Sequence, residues 1–129
     1  MKRSIAILVV FLGFGLVSCL NNESLTVDQL KQGSFKTVLD EQEVESIAHR
    51  MDSIQIEEYE GKLDTFYIHW EDDFQYVLRH KHPKNALDST AFYVQITALG
   101  KDYYTFRAYY YGSNFEQTGK AYKLDAYKP

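Results

Sequence analysis

The chain has 129 residues, of which 45% are hydrophobic, 16% aromatic and 25% charged, the size and balance of one globular domain. Its formal net charge is −4 and becomes more negative once Lys2 and Arg3 leave with an export signal. Such a charge excludes nucleic acid as a partner, because phosphate binding needs a positive surface, and the length excludes a multi-part enzyme.

Lys2 and Arg3 precede a short uncharged, mostly apolar stretch over residues 5–16, followed by Leu16-Val17-Ser18-Cys19. A positive start, a short apolar run and small residues before a cleavage point describe a secretory signal, and the run is too short to span a bilayer as a helix. Leu-Val-Ser-Cys resembles the bacterial lipobox, which implies cleavage before Cys19 and acylation of its sulfur and new amino terminus. The division expected is a signal over 1–18, a lipidated cysteine and polar spacer over 19–32 with one helical turn near Val27 and Leu30, and a β domain over 33–129. The destination expected is the cell envelope, at the outer membrane, anchored by acyl chains on Cys19. The chain has one cysteine, so the mature fold cannot contain an internal disulfide.

From Gly33 onward, short alternating stretches are separated by Gly, Asp and Asn clusters, the pattern of an antiparallel all-β meander. The first strand is expected over 35–39. Residues 41–51 are ambiguous: Val44, Ile47, Ala48 and Met51 follow helical spacing. Residues 54–56 pair with 66–68 across a turn at Gly61. Next comes a hairpin of 66–70 and 74–78 around Glu71-Asp72-Asp73, with Trp70 opposite Phe74, Ile68 opposite Tyr76 and His69 opposite Gln75. A second hairpin turns at Gly100-Lys101-Asp102 and sets Ala98 against Tyr104, Ile96 against Phe106 and Val94 against Ala108. A last strand over 116–124 follows Gly112-Ser113-Asn114, with a bulge expected at Gly119. Seven or eight strands of this kind curl into a barrel or half-barrel. Its expected interior holds Phe35, Ile54, Ile56, Phe66, Ile68 and Trp70 from the first half of the domain. The second half contributes Tyr76, Leu78, Val94, Ile96 and Phe106.

Gly33-Ser34-Phe35, the run from Arg50 to Glu57, Trp70 with Asp73-Phe74-Gln75-Tyr76-Val77-Leu78, and Pro83-Lys84 resemble short bacterial lipoproteins with a lipocalin-like sheet. The likeness covers nearly all of the mature chain. It implies strand rather than helix before Arg50, and a barrel whose interior could take a small apolar molecule. Many similar sequences have a cysteine where this chain has Phe74, so no role of that thiol carries over. Some bear the name of DNA topoisomerase IV, an activity that a small acidic chain with an export signal cannot house.

No nucleophile–base or glycine-rich phosphate signature stands out, and neither a catalytic residue nor a cofactor is assigned. His69, His80 and His82 do not converge in the expected register, so no metal is expected. Glu57, Glu58, Glu60, Asp64 and the 71–73 triplet read as solvated carboxylates. Arg79-His80-Lys81-His82-Pro83-Lys84 reads as a solvated basic loop. Arg50, Gln55, Trp70 and Tyr76 are the candidate ligand-binding residues, with Glu57 beside them. All 11 tyrosines lie beyond the spacer, and Tyr93, Tyr109 and Tyr111 fall with Arg107 on the outer face, a candidate surface for an envelope protein. A small apolar ligand inside, or a protein partner outside, are thus the two functions expected.

The lipobox gives a direct expectation. Cys19→Ala should leave an unlipidated precursor that no longer fractionates with membrane, whereas the wild type takes up an alkyne fatty acid in metabolic labelling.

Overall fold

The computed structural model describes residues 23–42 and 44–124; the signal over 1–18 and Cys19 lie outside the described residues. One helical turn, α1 (Val27–Leu30), precedes eight strands: β1 (Gly33–Leu39), β2 (Glu45–Met51), β3 (Ile54–Tyr59), β4 (Lys62–Asp72), β5 (Gln75–His80), β6 (Phe92–Leu99), β7 (Tyr103–Tyr110) and β8 (Gln117–Lys123). Each pairs antiparallel with the next, and β8 pairs with β1, which closes the barrel. Closure leaves no unpaired strand edge. The helical spacing over 44–51 is overridden, because in an all-antiparallel barrel β2 supplies the ladder between β1 and β3.

The β3–β4 turn is tight. Glu60 and Gly61 both have positive φ, +50° and +80°, as a two-residue hairpin turn of matching twist requires. Three registers differ from those the alternation suggests. In β3–β4, Ile54, Gln55 and Ile56 pair with Tyr67, Phe66 and Thr65 rather than with 66–68, because the two-residue turn sets Tyr59 against Lys62. In β4–β5, Trp70 faces Tyr76 rather than Phe74, Ile68 faces Leu78, and His69 faces Val77; an irregularity between Trp70 and Asp72 extends β4 into the acidic triplet. Phe74 is left in the turn, 43% exposed. In β6–β7, Ile96–Phe106 and Val94–Ala108 pair as expected, but a shift between Ile96 and Ala98 places Leu99, not Ala98, against Tyr104.

The interior also corrects two inward assignments. Ile54 and Ile56 are only half-buried and share the outer face, while Gln55 between them is 2% exposed and points inside with Arg50, its cross-strand partner. The apolar core runs through Phe35, Ile68, Tyr76, Leu78, Val94, Ile96, Tyr104 and Phe106, with Phe66 and Trp70 packed at its margin. Phe35 and Tyr104 meet edge to face, with centroids 5.6 Å apart.

One end of this core is plugged by the chain that enters it. Thr26 Oγ1 accepts from Gln29 N–H at 3.3 Å and Gln29 Oε1 accepts from Thr26 N–H at 2.8 Å, a capping box that starts α1. Four residues make no stable helix alone. Leu25 and Leu30, 4% and 0% exposed, anchor it in the barrel, each worth about 1.5–3 kcal/mol of burial. Leu25 N–H donates to the Gly100 carbonyl at 2.9 Å, and Lys123 Nζ donates to the Gln32 carbonyl at 2.6 Å, so the plug is tied to the β6–β7 turn and to β8.

Gly119 is not a bulge: it pairs in register with Leu39 on one side and Phe106 on the other. A Cβ there would lie 2.5 Å from the Val38 carbonyl oxygen and 3.0 Å from the Phe106 ring. Backbone cannot yield cheaply at that distance. Gly119→Ala should therefore lower the free energy of unfolding by roughly 1–3 kcal/mol in a urea titration.

Candidate functional site

Arg50 sits at the inner end of β2, 3% exposed. Its Nε–H donates to Gln55 Oε1 at 2.9 Å, Nη1–H to the Leu30 carbonyl at 2.6 Å, and Nη2–H to the hydroxyls of Tyr76 and Tyr104, each at 3.1 Å. The two hydroxyls are themselves 3.0 Å apart. Aromatic faces surround the guanidinium: the Phe35 centroid lies 4.5 Å from its carbon, Tyr76 4.7 Å, Trp70 5.8 Å and Tyr104 5.9 Å. Burial works against the charge, but the Tyr104 and Tyr76 oxygens outweigh it and the Arg50 pKa stands above its ordinary value. Burial, reinforced by Tyr104 and opposed by Arg50, holds the Tyr76 pKa well above the usual tyrosine range. The cluster is therefore a fixed cation dressed by neutral acceptors and rings.

A relay leads from it. The Gln55 oxygen is occupied by Arg50, so the amide presents its nitrogen to Glu57, and Nε2–H donates to Glu57 Oε2 at 3.0 Å. Glu57 lies two residues on along the same inner face of β3, half-buried and lining a cavity. Burial raises its carboxyl pKa; the Gln55 hydrogen bond and Arg50 pull it down, and Asp64 pushes it further up.

The cavity holds about 400 Å³. Its floor is Arg50, Gln55, Tyr76 and Tyr104, its walls include Phe66, Leu78, Phe92, Val94 and Phe106, and its rim includes Leu39, Tyr59, Leu87 and Gln117. The rim residues flank the β1–β2, β3–β4, β5–β6 and β7–β8 connections, so the cavity opens at the end opposite the plug. Asp64, His80, Asp88 and Tyr110 add polar groups to the lining. His80 Nε2 is 3.6 Å from Asp64 Oδ1 and its ring meets Phe66 at 4.9 Å. Burial, followed by Asp88 and Glu57, raises the Tyr110 pKa. Tyrosines thus line this barrel without filling it.

Of the four residues expected to bind ligand, Arg50, Gln55 and Tyr76 meet at the cavity floor. Trp70 does not line the cavity. Its ring packs at a tilt against Tyr76, centroids 4.8 Å apart, with Lys31 Nζ 5.4 Å from its centroid, and its indole Nε1 is buried without an acceptor among the described residues. Glu57, expected beside the ligand-binding residues as well as among the solvated carboxylates, lines the cavity; so does Asp64, expected only as a solvated carboxylate, and Tyr104 and Asp88 join the site without having been singled out for it. The period-2 offset of Glu57 and Tyr59 from Gln55 was the available signal for the β3 contribution.

The outer candidates also come together. Tyr93 and Tyr109 stack with centroids 5.6 Å apart and planes 9° from parallel, Tyr111 lies 6.2 Å from Tyr93, and Arg107 Nε–H donates to Gln95 at 2.9 Å. A third cluster lies on the outer face of β1–β3: Ser34 Oγ is 2.8 Å from His49 Nδ1, and His49 Nε2 is 3.5 Å from Glu58 Oε1. These residue types suit acyl transfer, but N–H groups of paired strands point along the sheet into the ladder. They offer no outward donors to an oxyanion there among the described residues. No family model, curated protein or solved structure matches the chain.

The raised Glu57 pKa fixes a pH dependence. A carboxyl whose pKa is higher folded than unfolded costs stability above the folded value, and the cost disappears as pH falls below the ordinary value of about 4.5. Glu57→Gln keeps an oxygen for the Gln55 amide. Its melting temperature should exceed that of the wild type at neutral pH, and the gap should close below pH ~4.

Proposed function

We propose that this chain is a lipid-tethered envelope protein whose barrel binds a small molecule with a largely apolar body. The observation that carries this reading is the 400 Å³ cavity, open at one end, with apolar walls and a polar floor built from Arg50, Gln55, Tyr76 and Tyr104. Ligand pockets commonly occupy about 300–1,000 Å³ and combine apolar walls with a few fixed polar groups. The floor is organised before any ligand arrives, since Arg50 ties both tyrosines, Gln55 and the plug together.

The lipidation expected at Cys19 fits this geometry. Leu25, six residues on, docks at the closed end, so a tether from Cys19 reaches that end in at most about 20 Å. The cavity mouth is then the end remote from the anchor, and the ligand enters from the aqueous side. The outer tyrosine face is the weaker alternative. Tyr93 and Tyr109 already cover each other, and Arg107 is engaged by Gln95; Tyr111, at 72% exposure, stands most open to a partner.

Native mass spectrometry of the full chain purified from its own envelope tests the reading. A retained small molecule, released on unfolding, is the expected result. A ligand-free chain that also takes up no neutral apolar probe would overturn it, and a co-purifying protein lost in Tyr109→Ala would favour the outer face.

A further inference from the structure

The polar groups of the cavity select a charge. Arg50, the strong cation among them, is already engaged through Nε, Nη1 and Nη2. An incoming carboxylate or phosphate would have to break that cluster to reach it. Glu57 is placed differently. Among the described residues its carboxylate accepts one hydrogen bond, from Gln55, and no cation lies within ion-pair distance of it. Directly across the β3–β4 pair, on the same inner face, stands a second carboxylate, Asp64. Like charges in that position repel. His80 lies beside Asp64 at 3.6 Å, and a third carboxylate, Asp88, lines the same cavity.

We infer that the ligand's polar end is an organic cation, a protonated amine or its like, received by Glu57 on the inner face of the barrel. A cation there relieves the Glu57–Asp64 repulsion and supplies the missing partner of a carboxylate that Gln55 holds in place. Phe66, Phe92 and Tyr110 line the same cavity and offer apolar area to the body behind the charge. A bare metal ion fits less well, because among the described residues no three His, Cys, Asp or Glu side chains converge as ligands. This inference rests on the cavity being a binding site and adds the class of molecule that it takes.

Three probes of equal chain length separate the possibilities: n-octylammonium, 1-octanol and octanoate. They are titrated by calorimetry at neutral pH into the full-length chain carrying Cys19→Ala, which removes acyl chains that would compete for an alkyl probe. The ammonium should bind at least about tenfold more tightly than octanoate. Glu57→Gln should bring the ammonium down to the affinity of 1-octanol with the β-sheet circular dichroism unchanged, which shows that the variant is folded. Glu58→Gln removes the same charge from the outer face, where Glu58 faces His49, and should leave the preference intact. Octanoate binding as tightly as the ammonium, or a preference that survives Glu57→Gln, overturns the cation inference and leaves the binding site standing. Failure of all three probes overturns both.

Discussion

A single buried guanidinium organises this barrel. Arg50 lies in the core with no carboxylate in contact among the described residues, a placement that is costly unless every donor finds an oxygen. Its partners come from four separate parts of the chain: the carbonyl of Leu30 in the plug, Gln55 on β3, Tyr76 on β5 and Tyr104 on β7. Rings of Phe35, Tyr76, Trp70 and Tyr104 fill the space around it. The cation thereby fixes which strands meet at the closed end and holds the N-terminal segment across it. Without an internal disulfide, a small domain gains its staple from this network and from the leucines of the plug.

The same network sets the chemistry of the open end. Because Arg50 claims the oxygen of Gln55, the amide can only donate toward Glu57, and a carboxylate is held inside the barrel where hydration is reduced. That arrangement stores unfavourable free energy at Glu57, through burial and the Asp64 carboxylate across the ladder. Polar groups that lower stability yet line a preformed cavity are the usual cost of a binding site. Phe66, Leu78, Phe92 and Phe106 supply the cavity's apolar walls, and Leu78 and Phe106 belong at the same time to the buried core.

The sequence by itself determined the all-β meander, the turns at Gly61 and Gly100, the one-turn helix before the sheet and most of the inward rings. Period-2 alternation and turn residues are local signals, and they agree along most of the domain. What alternation cannot supply is the choice of face when both faces carry mixed residues. Ile54 and Ile56 are more apolar than Gln55, yet Gln55 turns inward, because Arg50 across the ladder offers it a hydrogen bond that no solvent-facing position could match. The registers at Trp70 and Leu99 were likewise decided by irregularities that one strand's pattern does not encode but barrel closure demands. Only the tertiary structure left Glu57 lining the cavity with no cation within ion-pair distance among the described residues: a carboxylate's partners are set by neighbouring strands, and those neighbours exist only once the barrel has closed.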